Sequence, residues 1–106
     1  MTTIRMLGRQ GAYTGFEVSG HSGAGTAGND LVCAAISFLA TTCANALESV
    51  AGLKPEATQS DAYLKASLPG GSRNSQSDTI MRTFLQGAAD LILAYPQHVT
   101  LIDAQK

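Results

Sequence analysis

His21 and Cys33 are an imidazole and a thiol twelve positions apart, and Asp30 stands between them. A thiol attacks a peptide carbonyl once it has lost its proton, and a neighbouring imidazole can hold that proton and return it to the leaving amine. The residues after Asp30 favour a helix, so Asp30 is placed to cap it and Cys33 becomes its third residue. The first helical turn offers free N–H groups and the positive end of the macrodipole, both of which stabilise a thiolate. Asp30 has two open roles, capping this helix or orienting His21. Ser37, four residues beyond Cys33, shares a helix face with the sulfur.

The same stretch carries a competing pattern. Gly23, Gly25 and Gly28 spell GxGxxG, the loop that cradles a dinucleotide pyrophosphate. That use also requires a buried parallel strand before the loop and an acid about twenty residues on, at a strand end. Phe16–Ser19 instead alternates apolar with polar residues, and Glu48 falls inside the expected helix. In a chain with 11 glycines the pattern alone is weak. Ser22–Asn29, made only of small residues, is better read as a flexible lid that closes over a peptide, with Gly23, Gly25 and Gly28 supplying its freedom.

These residues need a frame. Met1–Leu7 and Phe16–Ser19 read as two strands joined through Gly8, Gly11 and Gly15, an antiparallel hairpin. Asp30 to about Val50 reads as a buried helix with Ile36, Leu39, Leu47 and Val50 on one side and Gly52 as its stop. Ala62–Leu68 alternates as a strand with one wet face, preceded by a partner strand near Pro55–Ser60. Ser75–Asp78 has the form of a capping box. It opens a second helix with a stripe of Ile80, Met81, Phe84, Leu85, Ala88, Leu91, Ile92 and Tyr95. Pro96 ends that helix, and Val99–Ile102 forms a last short strand. The order β-β-α-β-(β)-α-β predicts an α+β fold, a mostly antiparallel sheet with two helices packed on one face.

The totals narrow the function. At 106 residues and 11.0 kDa the chain has room for one domain, residues 1–106, and not for a nucleotide domain plus a substrate domain. The formal net charge is −1, and the seven Lys and Arg are scattered, so no basic face for nucleic acid is expected. No apolar run approaches the roughly 20 residues of a membrane span. The opening residues carry no signal-peptide pattern, which predicts a cytoplasmic protein. Cys33 and Cys43 lie about 15 Å apart along one helix, too far for a disulfide unless the helix breaks. Cys43 is expected in the core, and His98 at or near the surface. Without CxxC or HxxxH spacing, neither a metal nor another cofactor is expected.

"FEVSGHSG" and "GNDLVCAAIS" together resemble the bacterial ribosomal-processing cysteine protease (Prp) family. The family pattern is a strand ending in Gly-His-Ala, a short glycine-containing loop, then Gly-x-Asp-Ile-Val-Cys-Ala-Ala-x-Ser. It matches at Gly20, His21, Gly28, Asp30, Val32, Cys33, Ala34, Ala35 and Ser37. Ser22 for Ala and Leu31 for Ile are small departures, and the loop Gly23–Ala27 holds no aromatic or charged residue. The resemblance implies a homodimeric peptidase with Cys33 as nucleophile and His21 as catalytic base. It further implies a substrate, large-subunit ribosomal protein number twenty-seven, trimmed of a short N-terminal extension after a hydrophobic, phenylalanine-containing sequence. Two other functions fit the residues: a ribosome-associated assembly factor in which His21 and Cys33 do no chemistry, and a small nucleotide-binding module built on Gly23–Gly28.

Overall fold

The computed structural model describes residues 1–21 and 30–103. Its elements are β1 (Thr2–Arg9), β2 (Ala12–Ser19), α1 (Leu31–Ser49), β3 (Glu56–Ser60), β4 (Tyr63–Ser67), a 3-10 turn over Pro69–Gly71, α2 (Ser75–Ala94) and β5 (Val99–Ile102). The strands form a five-stranded sheet in the order β3-β4-β2-β1-β5. The β1–β2, β2–β4 and β3–β4 pairs are antiparallel, whereas β5 runs parallel to β1. The sheet is therefore mixed at that edge, because the chain reaches β5 only after crossing over through α2.

Alternation decides which face is buried. Ile4 and Met6 of β1, Phe16 of β2, Ala66 of β4 and Val99 of β5 all turn inward and join both helices in one core. From α1 that core takes Val32, Ile36, Ala40, Cys43, Ala44 and Leu47; from α2 it takes Ser77, Met81, Phe84 and Ala88. The Phe16 and Phe84 rings stack across the sheet–helix interface with centroids 3.9 Å apart. Among the described residues no buried side-chain polar atom lacks a partner.

Several boundaries differ from those the sequence predicts. β2 begins at Ala12, so Gly15 lies inside the strand instead of breaking the hairpin. There a Cβ would stand 2.4 Å from the Ala66 carbonyl oxygen, and only glycine lets β4 approach so closely. The capping box of α2 uses Asn74 and Ser77, one residue earlier than expected, and Asp78 is drawn to Arg73 by an ion pair of 3.0 Å. Asn74 wins the position because its Nδ2 also donates to the Ala51 carbonyl, 2.8 Å away. α1 closes with Gly52, at a φ of +70°, donating its N–H to the Glu48 carbonyl as in an αL cap, and with Leu53 N–H on the Leu47 carbonyl. That closure turns Val50 outward, 59% exposed, so it does not belong to the buried stripe. Tyr95, the C-cap of α2, is likewise exposed. The glycines of the expected lid, Gly23, Gly25 and Gly28, lie outside the described residues.

α1 is, among the described residues, the helix long and apolar enough to cross a membrane, with a mean hydropathy of 1.5. Here one side of it is buried against the sheet and α2. Leu91 of α2 is only partly buried, so the core is best probed at Phe84, which is fully buried. Phe84→Ala should cost about 3–5 kcal/mol of stability, read as a lower urea midpoint at an unchanged m-value.

Candidate active site

β2 ends at Ser19, and the chain turns sharply at Gly20, whose φ is +88°. A side chain at Gly20 would place its Cβ 2.7 Å from the Met1 carbonyl oxygen, so the corner admits glycine alone without backbone displacement. Three hydrogen bonds fasten it. Gly20 N–H donates to the Ala62 carbonyl at 2.9 Å, Thr2 Oγ1 donates to the Gly20 carbonyl at 3.3 Å, and the Met1 amino group donates to the His21 carbonyl at 2.7 Å. His21 leaves this corner with its side chain exposed.

On the other side, Asp30 is the N-cap of α1, with extended φ and ψ of −83° and 94°. Its two oxygens take two donors from one residue: Oδ1 accepts the Cys33 backbone N–H at 3.0 Å, and Oδ2 accepts the Cys33 thiol at 3.1 Å. Asp30 thus both caps α1 and contacts the Cys33 sulfur. Cys33 is half-buried in the first turn of α1, and Ser37, one turn on, is exposed. Cys43, by contrast, is buried in the core, where loss of solvation pushes its thiol pKa up. Neither cysteine is in a disulfide.

His21, Cys33 and Ser37 line one cleft of about 280 Å³. Gly20 lines it as well, so the predicted residues that fall within the described chain come together, with Asp30 holding Cys33 from behind. Val18 and Leu64 contribute from the sheet, and Ile36, Ala40 and Thr41 from α1, which makes much of the lining apolar. His98 does not reach the cleft; its carbonyl accepts the Thr2 N–H at the far edge of β1. Among the described residues no group of His, Cys, Asp and Glu is arranged to hold a metal ion.

Sequence reasoning missed one wall. The hairpin joining β3 to β4 brings Gln59, Ser60, Asp61, Ala62 and Tyr63 to the cleft. It arrives there because Ser19 pairs with Tyr63, setting the hairpin turn beside Gly20. Ala62 has a φ of +54°, uncommon for a residue with a side chain, and its carbonyl is the one that accepts the Gly20 N–H. The signal in the sequence was the Ser-Asp-Ala turn between two strand-like runs, but its destination depends on a pairing between distant segments. The pairing also bears on the glycine pattern, since both neighbours of β2 are antiparallel to it, unlike the parallel strands of a dinucleotide fold.

The fold and sequence have known counterparts. A crystal structure of the ribosomal processing protease Prp from S. aureus, with a covalently linked product peptide, superposes with a TM-score of 0.87. It is 22% identical, and the match covers 97% of this chain and 99% of that one. The same S. aureus protease with a substrate peptide gives a TM-score of 0.82 at 21% identity, covering 97% and 99%. SMU.848 from Streptococcus mutans gives 0.82 at 29% identity, covering 100% of this chain and 96% of that one. No curated protein matches the chain in sequence. The low identities make the S. aureus similarity one of fold, but the model of the cysteine protease Prp family matches residues 1–100, a span that takes in every strand and helix up to the start of β5. On that match the chain belongs to the cysteine protease Prp family and is a cysteine protease.

Proposed function

We propose that this cysteine protease is a cytoplasmic ribosomal-processing endopeptidase, a single domain acting as a homodimer. In this proposal it removes a short N-terminal extension from large-subunit ribosomal protein number twenty-seven, with Cys33 as nucleophile and His21 as acid and base. The observation that carries it is one cleft holding both side chains, with Cys33 in the first turn of α1. The two S. aureus structures, described as a ribosomal processing protease with product and with substrate peptides, support the substrate class. The outer side of α1 supports the dimer, because Leu31 and Phe38, seven residues apart and about three-quarters exposed, present an apolar face.

In the resting state Asp30 Oδ2 holds the thiol proton. Attack of the Cys33 sulfur on the scissile carbonyl carbon forms the C–S bond as the thiol proton passes to His21, and His21 delivers that proton to the departing amine as the C–N bond breaks. Water then attacks the thioester, giving its proton to His21 and regenerating the thiol. The Cys33 and Ala34 N–H groups are already bonded to Asp30, so the first-turn donors left for the oxyanion are those of Leu31 and Val32. The apolar lining receives the hydrophobic residues before the cut, and Ser37 offers a hydroxyl to the peptide backbone. Gly23, Gly25 and Gly28 serve in this proposal as the lid over the bound peptide.

Iodoacetamide should label Cys33 in the folded protein and Cys43 only on unfolding, as followed by peptide mass mapping; faster labelling of Cys43 would exclude Cys33 as the reactive thiol. Incubation with the ribosomal protein should shorten it by its extension, seen by intact mass. Cys33→Ala should abolish this with no loss of fold, and His21→Ala should remove most of it. Asp30→Asn keeps a capping oxygen but replaces the carboxylate at the sulfur. It should lower turnover by about tenfold or more at an unchanged melting temperature, whereas near-full activity would reduce Asp30 to a cap.

A further inference from the structure

We infer that Asp61, on the turn between β3 and β4, selects a cationic side chain in the part of the substrate that follows the scissile bond. This rests on the peptidase mechanism proposed above. Asp61 is exposed, lines the same cleft as His21 and Cys33, and makes no hydrogen bond or ion pair among the described residues. Among the described residues no Lys or Arg lines that cleft. The other ionisable newcomer, Tyr63, is committed elsewhere: its hydroxyl donates to Glu17 Oε2 at 2.6 Å, which pushes its pKa up. Among the described residues that line the cleft, Asp61 is thus the carboxylate placed to meet a ligand, while Asp30 takes the Cys33 N–H and thiol.

The direction follows from the backbone. Ala62 binds Gly20 through its carbonyl, so the turn that carries Asp61 is fastened to the residue directly before His21. The group that protonates the leaving amine must stand on the amine's side of the scissile bond, where the chain after the cut departs. Tied to Gly20 through Ala62, Asp61 is assigned in this inference to the same side as His21. A carboxylate there attracts Lys or Arg in the first few residues after the cut and repels Asp or Glu, and its exposure makes the preference modest and sensitive to salt. A ribosomal protein must bind a polyanion and is rich in Lys and Arg, so a substrate of that class offers the cationic side chains such a carboxylate would select.

The test uses peptides spanning the proposed cut in the ribosomal protein, identical except for Lys, Gln or Glu at one of the first four positions after it. Binding is measured by fluorescence anisotropy to the Cys33→Ala protein, which cannot cleave them. At one position or more the Lys peptide should bind about two- to fivefold more tightly than the Gln peptide, and the Glu peptide more weakly still, with the spread shrinking as salt rises. Asp61→Asn on the same background should level the three affinities, and Asp61→Lys should invert their order. In the protein with its thiol intact, Asp61→Asn should leave the iodoacetamide rate of Cys33 unchanged. Equal affinities at every position, no binding at all, or a Lys preference that survives Asp61→Asn would overturn the inference. So would an equal fall in turnover for all peptides with a shifted acid limb of the pH–rate profile, which would make Asp61 a partner of His21. Charge-ordered binding without cleavage by the intact protein would leave the inference standing and count against the peptidase mechanism alone.

Discussion

A helix begins with N–H groups that have no partner of their own, and in this molecule one carboxylate takes up one of them and places the thiol in the same act. Asp30 takes the Cys33 N–H on one oxygen and the Cys33 thiol on the other. The start of α1, the rotamer of the sulfur and the position of the cleft wall are therefore a single geometric fact. If α1 began one residue earlier or later, the side chain at Cys33 would turn about 100° around the helix axis, away from the cleft. The buried stripe from Val32 to Leu47 keeps the same register from the other side, since any such rotation would expose Ile36 and bury Ser37.

Much of this was legible because it is local. His21, Asp30 and Cys33 fall within a strand end, a cap and a first turn, all set by residues within a few positions of one another. The helices and the first hairpin were legible from periodicity for the same reason. What escaped was settled over distance. Asn74 and Ser75 are both good caps, and the choice between them falls to a hydrogen bond with Ala51 on the far side of β3 and β4. Val50 looked like one more core residue until the closing bonds of α1 turned it outward. The hairpin that walls the cleft could not be assigned to it without the pairing of Ser19 with Tyr63. A strand of only four residues, Val99–Ile102, carries no mark of whether it will pair parallel or antiparallel.

α1 explains why so apolar a segment can serve a site. From Leu31 to Leu47 it contains no charged residue, so each of its sides is defined by shape and small polar groups. One side packs on α2 and the sheet, a second forms the cleft wall with Ile36, Ser37, Ala40 and Thr41, and a third carries Leu31 and Phe38 outward. Uncharged cleft walls leave electrostatics to the few groups at the rim, where a charge meets a peptide in a less polar setting than open water.

The parallel pairing of β5 with β1 has a consequence in time. β1 lies between β2, its neighbour in sequence, and β5, which can join only after α2 has been laid down; Tyr13 and Asp103, hydrogen-bonded at 2.7 Å, are 90 residues apart. Closing a loop of that length comes late in folding, since its entropy is lost before its contacts repay it. Met1 and Thr2, which brace the corner before His21, sit at the end of β1 where His98 and Val99 dock. β5 is thus the last strand to join the sheet, and its docking completes the packing beside the residues that brace the corner before His21.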